Sequence, residues 1–242
     1  MISVILNVYK RPVTLEKQIE CVLNQSIDIK PENIHVWYNA AGINQPDPEN
    51  KNINTYRCNW NTKFYGRFMI PLLCRTEFVA IFDDDIFSPP RWFENCVKTI
   101  DTHNGILGGS GVIIRGIRKS YAKKVGWNGR KSVDPIEVDF VGHTWFFRQE
   151  WAKYMWQENP YSWDNAEDMT FSYLCQKHGG IKTYVPPHNA DNLDSWCTET
   201  LMARHHGRDK NASWKKGNHV PLRLEAIKHY IDNGWKTLKS VQ

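Results

Sequence analysis

The apolar run Phe78-Val79-Ala80-Ile81-Phe82 leads straight into three consecutive aspartates, Asp83-Asp84-Asp85, and Ser88-Pro89-Pro90 stops the element soon after. A run this short, rich in β-branched and aromatic residues and without an amphipathic period, reads as a strand buried on both faces. Carboxylates at its carboxyl end project into the crevice where open α/β sheets bind ligands. Adjacent carboxylates repel one another and persist where a positive group offsets them. Hard oxygen ligands clustered in this way suit Mg²⁺ or Mn²⁺ carrying a phosphate-bearing substrate. The plainer alternative is an acidic turn after a strand.

The remaining pattern places this strand in an alternating chain. Ile2 to Leu6 predicts a first strand, followed by a polar turn from Asn7 to Pro12. Thr14 is placed as the N-cap of a helix that runs to Asn24, with Leu15, Ile19, Val22 and Leu23 at helical spacing. Ile34 to Tyr38 predicts a second strand, and a loop rich in Asn, Pro and Gly follows from Ala40 to about Asn54. Helices are expected from Phe68 to Cys74, interrupted near Pro71, and from Trp92 to Asp101. Val112-Ile113-Ile114 and the stretch Val138 to Phe147 read as strands, separated by a mobile surface loop at 116–135. A short helix spans Glu150 to Gln157, and another runs from Met169 to Lys177 and is closed by Gly179-Gly180. Thr183-Tyr184-Val185 is the last strand. Strands alternating with helices give parallel βαβ units. The expected fold is therefore α/β, a mixed, mostly parallel Rossmann-like sheet flanked by helices, in a single domain.

At 242 residues the chain suffices for one sizeable α/β domain. The net charge of +5 is localised, since residues 201–242 alone hold nine Lys/Arg against three Asp/Glu. A basic tail after an acidic cluster suits an anionic substrate better than duplex nucleic acid, which requires a broader basic face. Six scattered cysteines without a CxxC pair exclude zinc and thioredoxin-like motifs and argue against a disulfide framework. Met1 to Val8 is short and is followed by Lys10-Arg11, the wrong charge order for a signal peptide. No apolar stretch has the length of a transmembrane segment. A soluble cytoplasmic protein is expected, with peripheral attachment to a membrane left open.

Four segments in order resemble the GT-A fold glycosyltransferases, which move sugars from nucleotide-sugar donors. Val4 to Pro12, with Val22-Leu23-Asn24-Gln25-Ser26, is similar to the first βα unit of the family-2-type inverting enzymes. Asp83-Asp84-Asp85 resembles the DxD motif, and Phe78 to Phe87 resembles the matching segment of exostosin-type transferases. Glu167-Asp168, followed by a helix and Gly180, is similar to the acidic pair that carries the catalytic base in inverting members. Met202-Ala203-Arg204-His205, continuing to Arg208-Asp209-Lys210-Asn211, resembles the β-1,4-galactosyltransferases where they supply Met and His to manganese, with one extra residue after the His. The departures are the loop at 40–54, the loop at 116–135 and an acidic middle residue in the DxD motif.

The resemblance implies a UDP- or GDP-sugar donor, a glycan, glycolipid or glycoprotein acceptor, a Mn²⁺ or Mg²⁺ cofactor, and no nucleic acid. It implies Asp85, Asp83 and His205 as metal ligands, with His206 and His188 as fallbacks for the histidine. Val8, Tyr9, Arg11, Arg67, Asp83, Asp84 and Arg208 are expected on the donor side. Asp168 is the implied base, and Glu167 is expected on acceptor hydroxyls. Trp145, in Gly142-His143-Thr144-Trp145, and Trp163 are candidates to stack on sugar faces. In this reading 1–100 forms the donor-binding half, 101–190 the acceptor-binding half, and 191–242 a basic lid over about Asp191 to Lys216 with a C-terminal helix. Two rivals are weighed against it. A sugar nucleotidyltransferase carries a glycine-rich phosphate loop near its first strand, which is not evident here. A catalytically silent carbohydrate- or nucleotide-binding protein predicts a degraded acidic set, whereas Asp83, Asp85 and Asp168 are all present.

Overall fold

In the computed structural model, which describes residues 1–40, 44–127, 130–197, 213–215 and 217–239, strands and helices alternate through the first hundred residues. The order is β1 (Ile2–Val8), α1 (Leu15–Leu23), β2 (Ile34–Asn39), β3 (Asn54–Cys58), β4 (Phe78–Phe82) and α2 (Trp92–Thr102). There follow β5 (Gly105–Leu107), β6 (Ser110–Ile114), β7 (Ala122–Val125), β8 (Ile136–Val138), β9 (Phe140–Gly142) and β10 (Thr144–Arg148). The chain then forms α3 (Glu167–Gly179), β11 (Lys182–Val185) and α4 (His219–Asp232). Two 3-10 segments, Gly66–Leu73 and Gln149–Trp156, stand where short helices are expected.

Eight strands form one sheet in the order β3-β2-β1-β4-β10-β5-β11-β8, and β7-β6-β9 form a second. The first four are parallel, β10 lies antiparallel between β4 and β5, and β11 is parallel to β5. The expected mixed, mostly parallel sheet is what the chain forms. Every residue of β4 is buried, as a strand covered on both faces requires. Phe78 and Phe146 stack across β4 and β10 with ring centroids 5.2 Å apart, while Phe147 meets Phe171 of α3 at 4.8 Å. α1 buries Leu15, Ile19 and Val22 on one face, and full burial of each contributes roughly 1.5–3 kcal/mol.

Four sequence readings need correction. Val138 to Phe147 is three elements, because His143 adopts φ +67° and turns the chain between sheets. On its N-terminal side β9 pairs with β6; on its C-terminal side β10 pairs with β4 and β5. Residues 116–135 contain β7, whose Lys123 and Lys124 face solvent while the backbone pairs antiparallel with β6. β3 and β5 were not expected, since an edge strand of Asn-Thr-Tyr-Arg-Cys and a three-residue strand opening on Gly105 carry little apolar signal. The stretch read as a lid from Asp191 opens on mostly exposed residues but is packed at Ser195, Trp196 and Cys197, which are buried; 198–212 and 216 lie outside the described residues.

Two polar side chains fix the acidic turn to α1. Thr14 does not cap its helix through its side chain; its Oγ1 lies 2.7 Å from the Asp84 carbonyl and 2.8 Å from that of Arg11. Gln18 donates from Nε2 to the carbonyls of Asp83 (2.8 Å) and Ile86 (2.7 Å). Backbone carbonyls in a turn this buried need such partners. No helix among the described residues is long and apolar enough to cross a membrane.

Candidate active site

The register of β4 against β10 sets the site. Phe82 faces Thr144, so the residues just beyond each strand are neighbours, and the Asp83 amide donates to the His143 carbonyl at 2.9 Å. The left-handed turn at His143 sends its imidazole over the acidic cluster, with Nδ1 3.2 Å from Asp83 Oδ2. Arg67, only 3 % exposed, bridges Asp83 and Glu167, the latter at 3.2 Å, with its guanidinium 4.8 Å from the centroid of the Trp145 ring. Arg11 pairs with Asp84 at 2.6 Å and approaches Asp85 at 3.4 Å. Asp168 is held bidentately by Arg223 of α4, at 3.1 Å on Oδ1 and 2.7 Å on Oδ2.

Among the described residues, five carboxylates (Asp83, Asp84, Asp85, Glu167 and Asp168) thus meet three guanidiniums. The excess negative charge appears in the acidities. Burial, then the charges of Asp83 and Asp84, push Asp85 up to about 7. Burial, then Asp168, push Glu167 up to about 7 despite Arg67. Burial also raises Asp84, with Arg11 partly offsetting it. Burial acts the same way on Asp83, but Arg67 and then His143 outweigh it and hold this carboxyl well below its ordinary value. Burial would lower His143, yet its hydrogen bond to Asp83 and the surrounding carboxylates raise it.

A divalent cation fits this deficit. Asp83, Asp85 and His143 each offer one ligand atom, all within 4.8 Å of one another. Among the described residues Asp85 Oδ1 is buried without a hydrogen-bond partner, a costly arrangement for a carboxylate that a bound cation would relieve. Asp83, Asp85 and His143 are the residues that would hold such an ion, and their carboxylate oxygens are the donors Mg²⁺ takes. The mixed oxygen and nitrogen donors suit Mn²⁺ as well.

The other sequence candidates fall in different places. Val8 is buried at the end of β1, and Tyr9 follows it with its hydroxyl 3.1 Å from Asn61 Nδ2. Trp145 is corrected from a sugar platform to a core residue: it is 1 % exposed, packed edge-on against Phe68 and covered by Arg67. Trp163 is 54 % exposed and stands edge-on to Tyr65 at 5.0 Å. His188 is stacked on Trp196, and burial lowers its pKa to about 4; it does not join the ligand cluster. Met202, Arg204, His205, His206 and Arg208 lie outside the described residues. Two residues of the site were not identified from the sequence, His143 as a ligand and Arg223 as the partner of Asp168. The polar interruption Gly142-His143-Thr144 between Phe140-Val141 and Trp145-Phe146-Phe147 was a usable signal for the first.

This mixed sheet with its flanking helices matches a GT-A glycosyltransferase-like fold. Among solved structures the chain is similar to S. aureus TarS. A crystal structure of TarS 1-349 gives a TM-score of 0.51 at 16 % identity, over 77 % of this chain and 60 % of that one. A second TarS crystal structure gives 0.52 at 16 % identity, over 80 % of this chain and 37 % of that one. This chain therefore spans less than two thirds of either, and at such identity the likeness is one of fold. No protein-family model and no curated protein sequence matches the chain.

Proposed function

We propose that the chain is a metal-dependent glycosyltransferase that moves a sugar from a UDP- or GDP-sugar to a hydroxyl of a glycan, glycolipid or glycoprotein, with inversion. The observation that carries the reading is the Asp83, Asp85 and His143 set, with its unpartnered Asp85 Oδ1, at the carboxyl end of β4. The similarity in fold to TarS, itself a glycosyltransferase, supports it. A divalent cation bound there would neutralise the charge developing on the leaving diphosphate. Val8, Tyr9, Arg11 and Arg67 line the donor side in this reading, within 1–100, and Arg208 would join them from the basic stretch. Asp168 takes the acceptor hydroxyl's proton, with Glu167 beside it, and Trp163 offers an exposed ring to the acceptor. His143 replaces His205 as the histidine ligand that the described residues support.

The test is titration calorimetry of UDP and GDP with Mn²⁺, with and without EDTA, followed by turnover on a nucleotide-sugar panel. Affinity that collapses with EDTA and transfer from one donor are the expected results. Equal affinity in both conditions would remove the metal assignment. Metal-dependent binding without turnover would favour a silent binding protein.

A further inference from the structure

α4 buries one stripe, Arg223, Ala226, Ile227 and Tyr230. Its apolar members pack against Met169, Tyr173 and Leu174 of α3. The first position of that stripe is a buried arginine where an apolar residue would serve packing. Burying a guanidinium is costly unless every donor is matched, and replacing a buried ion pair by apolar residues is often neutral or stabilising. Adhesion between helices is therefore a weak reason for Arg223.

The surroundings of Arg223 are specific. Nη2 donates to Asp168 Oδ2 at 2.7 Å and Nη1 to Oδ1 at 3.1 Å. Nε donates to the Tyr121 hydroxyl at 2.8 Å, and Nη1 also reaches Asn165 Oδ1 at 3.4 Å. The guanidinium lies 5.2 Å from the centroid of the Phe140 ring. The two oxygens of Asp168 are left unequal. Oδ1 receives a second donor, the Met169 amide at 2.8 Å, while among the described residues Oδ2 has only Arg223. Oδ2 is also the oxygen turned toward Gly142, lying 3.5 Å from where a Cβ there would stand, beside the ligand His143.

We propose that Arg223 is a positioning residue for glycosyl transfer, one that fixes the Asp168 carboxylate so that Oδ2 faces the acceptor. This rests on the reading of the site given above. In the step it serves, the acceptor oxygen bonds to the anomeric carbon as the bond from that carbon to the phosphate oxygen breaks. The bonding electrons leave with the nucleoside diphosphate, and the acceptor's proton passes to Asp168 Oδ2. Only the planar fork of arginine holds both carboxylate oxygens at once; a lysine supplies a point charge without the orientation. Tyr121, which precedes β7, holds the fork from the opposite side.

Four variants of the full chain test the proposal: Arg223→Lys, Arg223→Ala, Tyr121→Phe and, as a reference, Asp168→Asn. Mn²⁺-UDP affinity should stay within about twofold of the unaltered chain in all of them, since none touches the donor side. Arg223→Lys should lower kcat by on the order of 10²-fold, the scale of a misplaced catalytic group, with donor KM unchanged. Tyr121→Phe leaves Arg223 Nε without its partner, so it should lower the melting temperature by a few degrees and kcat several-fold while the chain stays folded, which keeps the test valid if the Arg223 variants fold poorly. Added guanidinium or methylguanidinium should restore part of the activity of Arg223→Ala and none of that of Asp168→Asn. Transfer by both Arg223→Lys and Tyr121→Phe within twofold of the unaltered chain would overturn the proposal. So would a loss in Arg223→Ala that guanidinium leaves untouched while nucleotide affinity is intact. Absence of turnover by the unaltered chain on the whole donor panel would instead remove the glycosyltransferase reading, and this proposal with it.

Discussion

Adjacent aspartates in one turn have three different fates, and the differences lie in their partners. Asp83 is paired with Arg67 and His143, Asp84 with Arg11, and Asp85 keeps one buried oxygen without a partner among the described residues. The three should therefore separate on mutation. Asp85→Ala is expected to abolish metal-dependent nucleotide binding, whereas Asp84→Ala should weaken it by about tenfold or less, both read by calorimetry with Mn²⁺. Asp84 also anchors Arg11, so its variant should lose a little thermal stability as well; a partly buried charge-assisted pair is worth roughly 1–3 kcal/mol. On the acceptor side, Asp168→Asn keeps the shape of the side chain but not its basicity. Turnover should fall by about 10²-fold or more, with nucleotide affinity nearly unchanged.

At the scale of elements, α3 shows how local chemistry delivers the acidic pair. Its first residues, Glu167 and Asp168, follow Ala166 at φ +70°, and its end is set by Gly180 at φ +64°. Gly180 has open space around a would-be Cβ, so Gly180→Ala tests conformation alone. A cost of about 1 kcal/mol in urea unfolding, with unchanged turnover, is expected. That helix stop was legible in the sequence, as were β1, β2, β4, α1 and α2, because each has a long apolar run or a firm periodic stripe. The acidic cluster at the end of β4 was legible from the strand it follows, and the pair at the start of α3 from the resemblance to the inverting enzymes. What was not legible depended on partners distant in the chain. His143 reads as one more residue of a strand until β9 and β10 are seen to join different sheets. Arg223 reads as the polar part of a basic tail until Asp168, 55 residues earlier, is seen beneath it. Trp145 failed in the other direction, since an indole flanked by Thr144 and Phe146 gives no local sign of whether it faces water.

Across the whole molecule, the segment that follows β11 is pinned by a neutral buried imidazole. His188 stacks on Trp196 at 5.2 Å, its amide donates to Ser132 Oγ at 3.1 Å, and its Nε2 is buried without a partner among the described residues. The unfolded chain takes up a proton near the ordinary value of 6.5, while the folded chain refuses it until about 4. The stability due to this group is thus fully present above pH 6.5 and is lost as pH falls toward 4, by roughly 3 kcal/mol at the limit. Urea denaturation between pH 8 and 4 should show this loss, and His188→Gln should flatten the difference across that window. A slope that His188→Gln leaves unchanged would assign the acid sensitivity to other groups.

At His143 the chain passes from the small sheet to the large one within one residue, since β9 before it pairs with β6 and β10 after it pairs with β4. A donor held at the acidic turn and an acceptor approaching Asp168 would meet across that peptide. Each side reaches that stretch of backbone by a direct contact, the Asp83 amide on the His143 carbonyl at 2.9 Å and Asp168 Oδ2 beside Gly142. A change in the turn at His143 would therefore shift both substrates at once.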